Sequence, residues 1–371
     1  MPIPAPRTAR LRPIRPRVLL PVAALTMPSV ALAHGGEGLS AAEAWTAWNL
    51  TPEISGPILL ILAVYLRGAW RRRSVTGPVP ALRHVLFGGG ILALFLSLQS
   101  PVDPMGERLF LAHQIQHLLL RMVGPMLVVL SRPQGLLIAG LPEFLRKWLV
   151  APLMTDGAVS GLYRRLTGPV TAFVIFLLSL YFWQIPPIHN AALLDPAIHW
   201  TMHLTMLAGG LVFFAMIFDR RDLPSDPSHF LRVVLLFAAI VSNILLGAIT
   251  VFKTSILYTA YDIEGRLFGI APLTDETAGG FILWVPGSMM LVIAILVVVF
   301  DWNRTEGKRL RRGRDMAGPV RGPVSSGGDY GRRPARAATA ANNRLGLLLG
   351  LGVLTIFGLI LGTGIFILSV G

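Results

Sequence analysis

Apolar stretches long enough to cross a lipid bilayer recur along this chain, and nothing else in the sequence restricts its fold as strongly. They fall at residues 54–70, 85–100, 109–130, 170–185, 198–218, 233–252, 281–300 and 345–370, each near the roughly 20 residues that a spanning helix needs. Lipid offers no partner to a backbone N–H or C=O, so such segments must satisfy their own hydrogen bonds, as a helix does. Composition agrees, with 53% hydrophobic and only 14% charged residues. The predicted fold class is an all-α polytopic membrane helix bundle, with seven core transmembrane helices plus a C-terminal eighth. No βαβ signature, phosphate-cradling glycine loop or heptad array interrupts this pattern.

The formal charge of +14 is spread in a way that excludes nucleic acid as the partner it serves. Most Lys and Arg fall in the loops after the first, third, fifth and seventh spans, among them Arg71, Arg72, Arg73, Arg164, Arg165, Arg220, Arg221 and the run from Lys308 to Arg314. The opposite loops carry only Arg108, Lys253 and Arg266. The basic side is therefore read as cytoplasmic, and membrane lipid headgroups suffice as its partner.

Five arginines, Arg7, Arg10, Arg12, Arg15 and Arg17, precede an apolar stretch that ends in Ala31-Leu32-Ala33, so residues 1–33 are read as a signal peptide. An uncleaved anchor is the alternative. Residues 34–302 form the seven-helix core. Residues 303–344, rich in Arg, Gly, Pro and Ala, are expected to be a disordered basic cytoplasmic linker, and 345–371 an accessory transmembrane helix. The stretch 132–168, broken by Pro133, Pro142 and Pro152, reads as an inner connection with a helix lying on the membrane. With no cysteine in the chain, disulfides, thiolate metal sites and Cys-linked haem are excluded.

The chain has eight histidines, and four of them form two i,i+4 pairs, His113/His117 and His199/His203. Random placement gives roughly 0.2 such pairs. Residues at i and i+4 share a helix face, so each pair presents two imidazoles to one point. At 1.5 Å rise per residue, the first histidine of each pair lies about 6 Å and the second about 12 Å below the outer boundary. Two helices thus offer four imidazoles at matching depth. Imidazole suits copper, zinc, iron and nickel alike, and a thioether such as that of Met202 favours Cu(I).

His189, in the loop beginning Pro186-Pro187, and His34, whose amine and imidazole would chelate together after cleavage, are further metal candidates. Asp103, Glu107, Asp275 and Glu276 lie on the same side, where they can steer cations or stand as solvated loop charges. Arg121, one turn below His117, is a charge inside a span and so a functional candidate by default. It can hold an anionic cofactor group such as a haem propionate, or backbone carbonyls at the break made by Gly124-Pro125.

The stretch His113-Gln114-Ile115-Gln116-His117-Leu118-Leu119-Leu120, with Gly124-Pro125-Met126-Leu127 and Arg132-Pro133, resembles the first signature of the CtaG-type cytochrome c oxidase assembly factor family. His199-Trp200-Thr201-Met202-His203 leading to Gly209-Gly210 resembles the second. Asp275-Glu276-Thr277-Ala278-Gly279-Gly280, continuing to Trp284-Val285-Pro286-Gly287, resembles a third. The likeness spans roughly residues 34–302. It departs at Met202, where the family often has an acidic residue before its last histidine. An unrelated single-span copper chaperone of the same name carries a cysteine site, which this chain lacks.

The resemblance implies a bacterial inner-membrane factor, not an enzyme, that helps to mature a haem-copper oxidase. Its cargo would be copper, taken at a cluster toward the periplasmic side and passed to a haem-copper oxidase subunit. Two alternatives stand beside it: a haem-binding membrane electron-transfer or quinone protein, and a metal permease with the histidine pairs at its mouth.

Overall fold

A computed structural model describes residues 39–218 and 227–316. Among these residues the secondary structure is entirely helical. In chain order the helices are α1 (Pro52–Thr76), α2 (Ala81–Gln99), the short α3 (Val102–Gly106), α4 (Phe110–Ser131) and α5 (Gln134–Gly140). A helical stretch over 143–155 follows, then α6 (Gly157–Leu166), α7 (Pro169–Gln184), α8 (Pro186–Leu194), α9 (Pro196–Ile217), α10 (His229–Phe252) and α11 (Pro272–Met316). Prolines mark the starts: α1, α7, α8 and α9 carry one in their first turn, where a missing N–H leaves no bond unmade.

Six of these helices are long and apolar enough to cross a membrane, and α6 with α7, bent by 65°, makes a seventh if the pair is one span. The eighth predicted span, residues 345–370, lies outside the described residues, as do residues 1–33. Polarity is distributed as lipid demands. Leu59, Leu60, Leu178, Leu204, Phe237 and Ile249 face outward, whereas His113, Gln114, Gln116, Arg121 and Asn243 are buried between helices. Polar groups inside a membrane protein face the bundle interior for this reason. The chain is therefore a multi-pass membrane protein.

One expectation about the linker is corrected. The last described helix continues past residue 302 to Met316, because Lys and Arg are good helix formers and no proline interrupts the run. Only the part of the predicted linker beyond Met316 lies outside the described residues.

Two local features position the candidate site. Within α4 the helix widens into a π turn over Leu119–Val123, where the Gly124 N–H bonds back to the Leu119 carbonyl. Pro125 follows and brings no N–H of its own, so the Arg121 carbonyl has no donor four residues on. Gly210 of α9 packs against that carbonyl; a Cβ there would lie 2.0 Å from the Arg121 oxygen, so only glycine permits α4 and α9 to approach so closely. The second feature is the connection over 253–271, which folds over the histidine end of the bundle. Asn190 pins it through a side-chain bond to the Leu257 carbonyl at 3.3 Å and another from the Ala260 N–H at 3.3 Å. This burial brings Tyr258 and Tyr261 into the interior.

Candidate metal centre

Both histidine pairs stand at the beginnings of their helices, and each beginning is held by an aspartate. Asp195 caps its own helix, α9, accepting from the Ala197 and Ile198 N–H groups at 2.8 and 3.1 Å. The cap of α4 comes from far along the chain: Asp275, in the first turn of α11, accepts from the Phe110 and Leu111 N–H groups at 2.8 and 2.9 Å. A carboxylate there satisfies orphan donors and meets the positive end of the helix dipole.

Asp275 and Glu276 are consequently neither the cation-steering nor the solvated loop charges that the sequence allows. Both are buried. Arg266 donates to Asp275 at 2.6 Å, to Glu276 at 3.1 Å and to Asp262 at 2.8 Å. Glu276 also pairs with Lys253 and accepts from the Leu257 and Tyr258 N–H groups at 3.1 and 3.0 Å. The buried carboxylates Asp275 and Glu276, with the cations Arg266 and Lys253, thus bolt α4, the connection and α11 together.

With the helix starts fixed, the four paired histidines converge. One ligand atom from each of His113, His117 and His203 lies within 4.8 Å of the other two. His199 Nε2 is 3.2 Å from His203 Nε2, and the His199 ring stacks on His113 with centroids 5.3 Å apart. His113, His117 and His203 are buried, while His199 is partly exposed. Bonds of about 2.0–2.1 Å to a tetrahedral ion bring ligand nitrogens to roughly 3.3 Å. The 3.2 Å pair already has that spacing, and the other imidazoles need only draw inward.

The hydrogen bonds around His113 fix its tautomer. His189 Nδ1 lies 3.0 Å from the Trp183 carbonyl, which only accepts, so Nδ1 carries the proton and Nε2 the lone pair. The Tyr261 hydroxyl, 2.9 Å from His189 Nε2, therefore donates to it. His113 Nδ1 lies 3.1 Å from the Gly106 carbonyl and 2.9 Å from the Tyr261 oxygen, so it donates to both. His113 Nε2 is left as a buried lone pair with no protein partner, and both nitrogens of His117 also lack one. Leaving buried polar atoms unmatched is costly, and a metal ion would engage such lone pairs. The donor set therefore fits a metal ion that binds imidazole.

The remaining candidates resolve as follows. His189 is buried beside the group, but both of its nitrogens are engaged, so it orients His113 from behind rather than offering a nitrogen of its own. Burial lowers its pKa to about 4, which keeps it neutral. Met202 faces away into an apolar cluster with Leu180, Trp183, Ala192, Met206 and Leu283; its thioether is core packing. His34 lies outside the described residues. Arg121 is buried, donating to the Phe176 carbonyl at 2.7 Å and to Ser179 Oγ at 3.3 Å, with its guanidinium 3.6 Å over the Phe176 ring. The carbonyl it binds belongs to α7 and not to the break at Gly124-Pro125, where the sequence places its backbone partners.

Tyr261, Tyr258 and Gln184 were not singled out from the sequence. Tyr258 donates to the Gln184 carbonyl at 3.0 Å, and the Gln184 amide donates to Gln114 at 2.8 Å, so they brace the floor of the site. Burial raises the pKa of both tyrosines, which holds them as hydroxyl donors. Their only signal is two aromatic residues, three apart, in a connection otherwise expected to be solvated. At the rim, Asp103 accepts from the Gln116 amide at 2.7 Å; burial lifts its pKa to about 6 and that of Glu107 to about 8.

The chain matches the family model described as cytochrome c oxidase caa3 assembly factor over residues 63–305. It is similar to an uncharacterized protein of Mycobacterium leprae (strain TN), 25% identical over 71% of this chain and 40% of the relative. It is likewise similar to one of Mycobacterium bovis, 26% identical over 70% of this chain and 40% of the relative. The chain thus spans about two fifths of the length of these relatives. No solved structure matches it.

Proposed function

Since the chain belongs to the cytochrome c oxidase caa3 assembly factor family, we propose that it binds copper as cargo at His113, His117, His199 and His203 and passes it to a haem-copper oxidase subunit. The observation that carries this reading is the convergence of three buried imidazoles, with the His113 Nε2 lone pair and both His117 nitrogens lacking a protein partner. Imidazoles without thiolate or carboxylate make an exchangeable set for a soft ion, which suits hand-over better than a closed cage. The graded burial, from partly exposed His199 inward to fully buried His113, provides a side from which the ion arrives and leaves. Basic loops at the far ends of the helices orient this side toward the periplasm of a bacterial inner membrane.

The test is replacement of both His117 and His203 by Ala in the full chain. Copper binding by the purified protein is expected to be lost, and the oxidase made in its presence to be copper-deficient. Normal copper content in both would refute the reading.

A further inference from the structure

We propose that the histidine group discriminates by charge, taking a monovalent metal ion in preference to a divalent one, and that Arg121 enforces the choice. This rests on the reading of the group as a copper site and specifies the ion it takes. The donors themselves are neutral: four imidazoles, with no carboxylate among them. A bound ion therefore keeps its whole charge within a buried setting.

Directly beneath the group lies a cavity of about 10 Å³, lined by His117, Arg121, Gln114 and Asn243, near the space that one water molecule needs. Arg121 is 2% exposed and, as a guanidinium, stays protonated. Its partners are the Phe176 carbonyl, the Ser179 hydroxyl and the Phe176 ring; none is an anion. Among the described residues no carboxylate pairs with it. The acidic groups nearest the site are committed elsewhere, Asp275 and Glu276 to Arg266 and Lys253, and Asp103 to Gln116 at the rim.

A cation at the histidine group thus meets an uncompensated positive charge across one small cavity. The repulsion doubles from a monovalent to a divalent ion. At a separation of about one to two helical turns in a partly polar interior, the extra charge weakens binding on the order of tenfold or more. Cu(I) and Zn(II) are suitable probes, since both have filled d shells and both bind imidazole. The donors are the same in every variant, so a change in the ratio of their affinities reads the charge. The same field opposes passage of a cation from the histidine group deeper into the bundle.

The experiment is competition titration of Cu(I) and of Zn(II) on the purified full chain, for wild type, Arg121→Gln, Arg121→Lys and Asn243→Asp. Arg121→Gln is expected to raise Zn(II) affinity about tenfold or more and Cu(I) affinity less, while Arg121→Lys keeps the wild-type ratio. Asn243→Asp, which leaves Arg121 in place but sets a carboxylate on the same cavity, is expected to shift the ratio as Arg121→Gln does, and it decides the matter if Arg121→Gln does not fold. An unchanged Cu(I)/Zn(II) ratio in a folded Arg121→Gln or Asn243→Asp protein, or a ratio in Arg121→Lys that falls with that of Arg121→Gln, overturns the proposal. Copper binding that persists with such a ratio leaves the copper reading standing, whereas a wild type that binds neither ion overturns both.

Discussion

The Tyr261 hydroxyl accepts a hydrogen bond from His113 Nδ1 at 2.9 Å and donates one to His189 Nε2 at 2.9 Å, so one phenol from a connecting segment sets which nitrogen of His113 is free. Partners behind a ligand imidazole fix its tautomer and raise its basicity, and removing one typically weakens metal binding about 10–100-fold. Tyr261→Phe keeps the ring beside Phe110 and removes only the oxygen. Copper affinity should fall within that range while helix content is unchanged, as read by chelator competition and circular dichroism. Wild-type affinity in the variant would show that the Gly106 carbonyl alone orients His113.

Asp275 holds the start of α4 from α11, and its replacement should loosen the site through the fold. Losing a helix cap costs about 0.5–2 kcal/mol, and removing one partner of a buried ion pair adds to this by leaving Arg266, 2% exposed at its side chain, short of an anion. Asp275→Ala is expected to lower the thermal midpoint in detergent more than Asp275→Asn, which retains an acceptor oxygen. Equal midpoints for Asp275→Ala and wild type would mean that the cap is dispensable.

The helices and the histidine pairs were legible because their signals are local: apolar run length and i,i+4 spacing. Convergence of the two pairs was legible too, since both sit in the first turns of helices running in one direction. Tyr261 escaped notice, and the capping role of Asp275 stayed hidden, for the opposite reason. Their bonds to His113 and Phe110 close over 148 and 165 residues, and no period in a sequence records such a contact. Asp275 and Glu276 look like solvated loop charges until the cations that neutralise them, Arg266 and Lys253, are brought alongside. Met202 misled differently: a thioether suggests a soft ligand by residue type alone, whereas this one packs into the apolar cluster. Arg121 was legible as a buried charge but not as an uncompensated one, which depends on what surrounds it.

Gly210 tests the contact that sets the spacing of α4 and α9. A methyl group there meets the Arg121 carbonyl oxygen at 2.0 Å and the Pro125 ring at 3.0 Å, so the helices must separate. Backbone cannot yield as a side-chain tip does, and overpacking typically costs about 1–3 kcal/mol. Gly210→Ala should lower the unfolding midpoint and, by parting His117 from His203, also weaken copper binding. A variant as stable as wild type would show that the close approach is not needed.

Glu107 gives a pH dependence with a definite direction. Burial, reinforced by Asp103 and Glu264, raises its pKa from 4.5 to about 8. The folded state then holds a proton that the unfolded state has released, so between pH 4.5 and 8 the unfolded chain binds fewer protons and stability declines as pH rises. The contribution is fully present below pH 4.5 and is lost as pH passes through about 8. Glu107→Gln keeps the neutral form at every pH. It should match wild type near pH 4.5 and exceed it near pH 8.5, by an amount on the order of 2 kcal/mol or more, seen as a midpoint difference that widens with pH. A constant difference across this range, or one that widens toward acid, would show that the Glu107 carboxyl ionises in the folded protein as freely as in the unfolded chain.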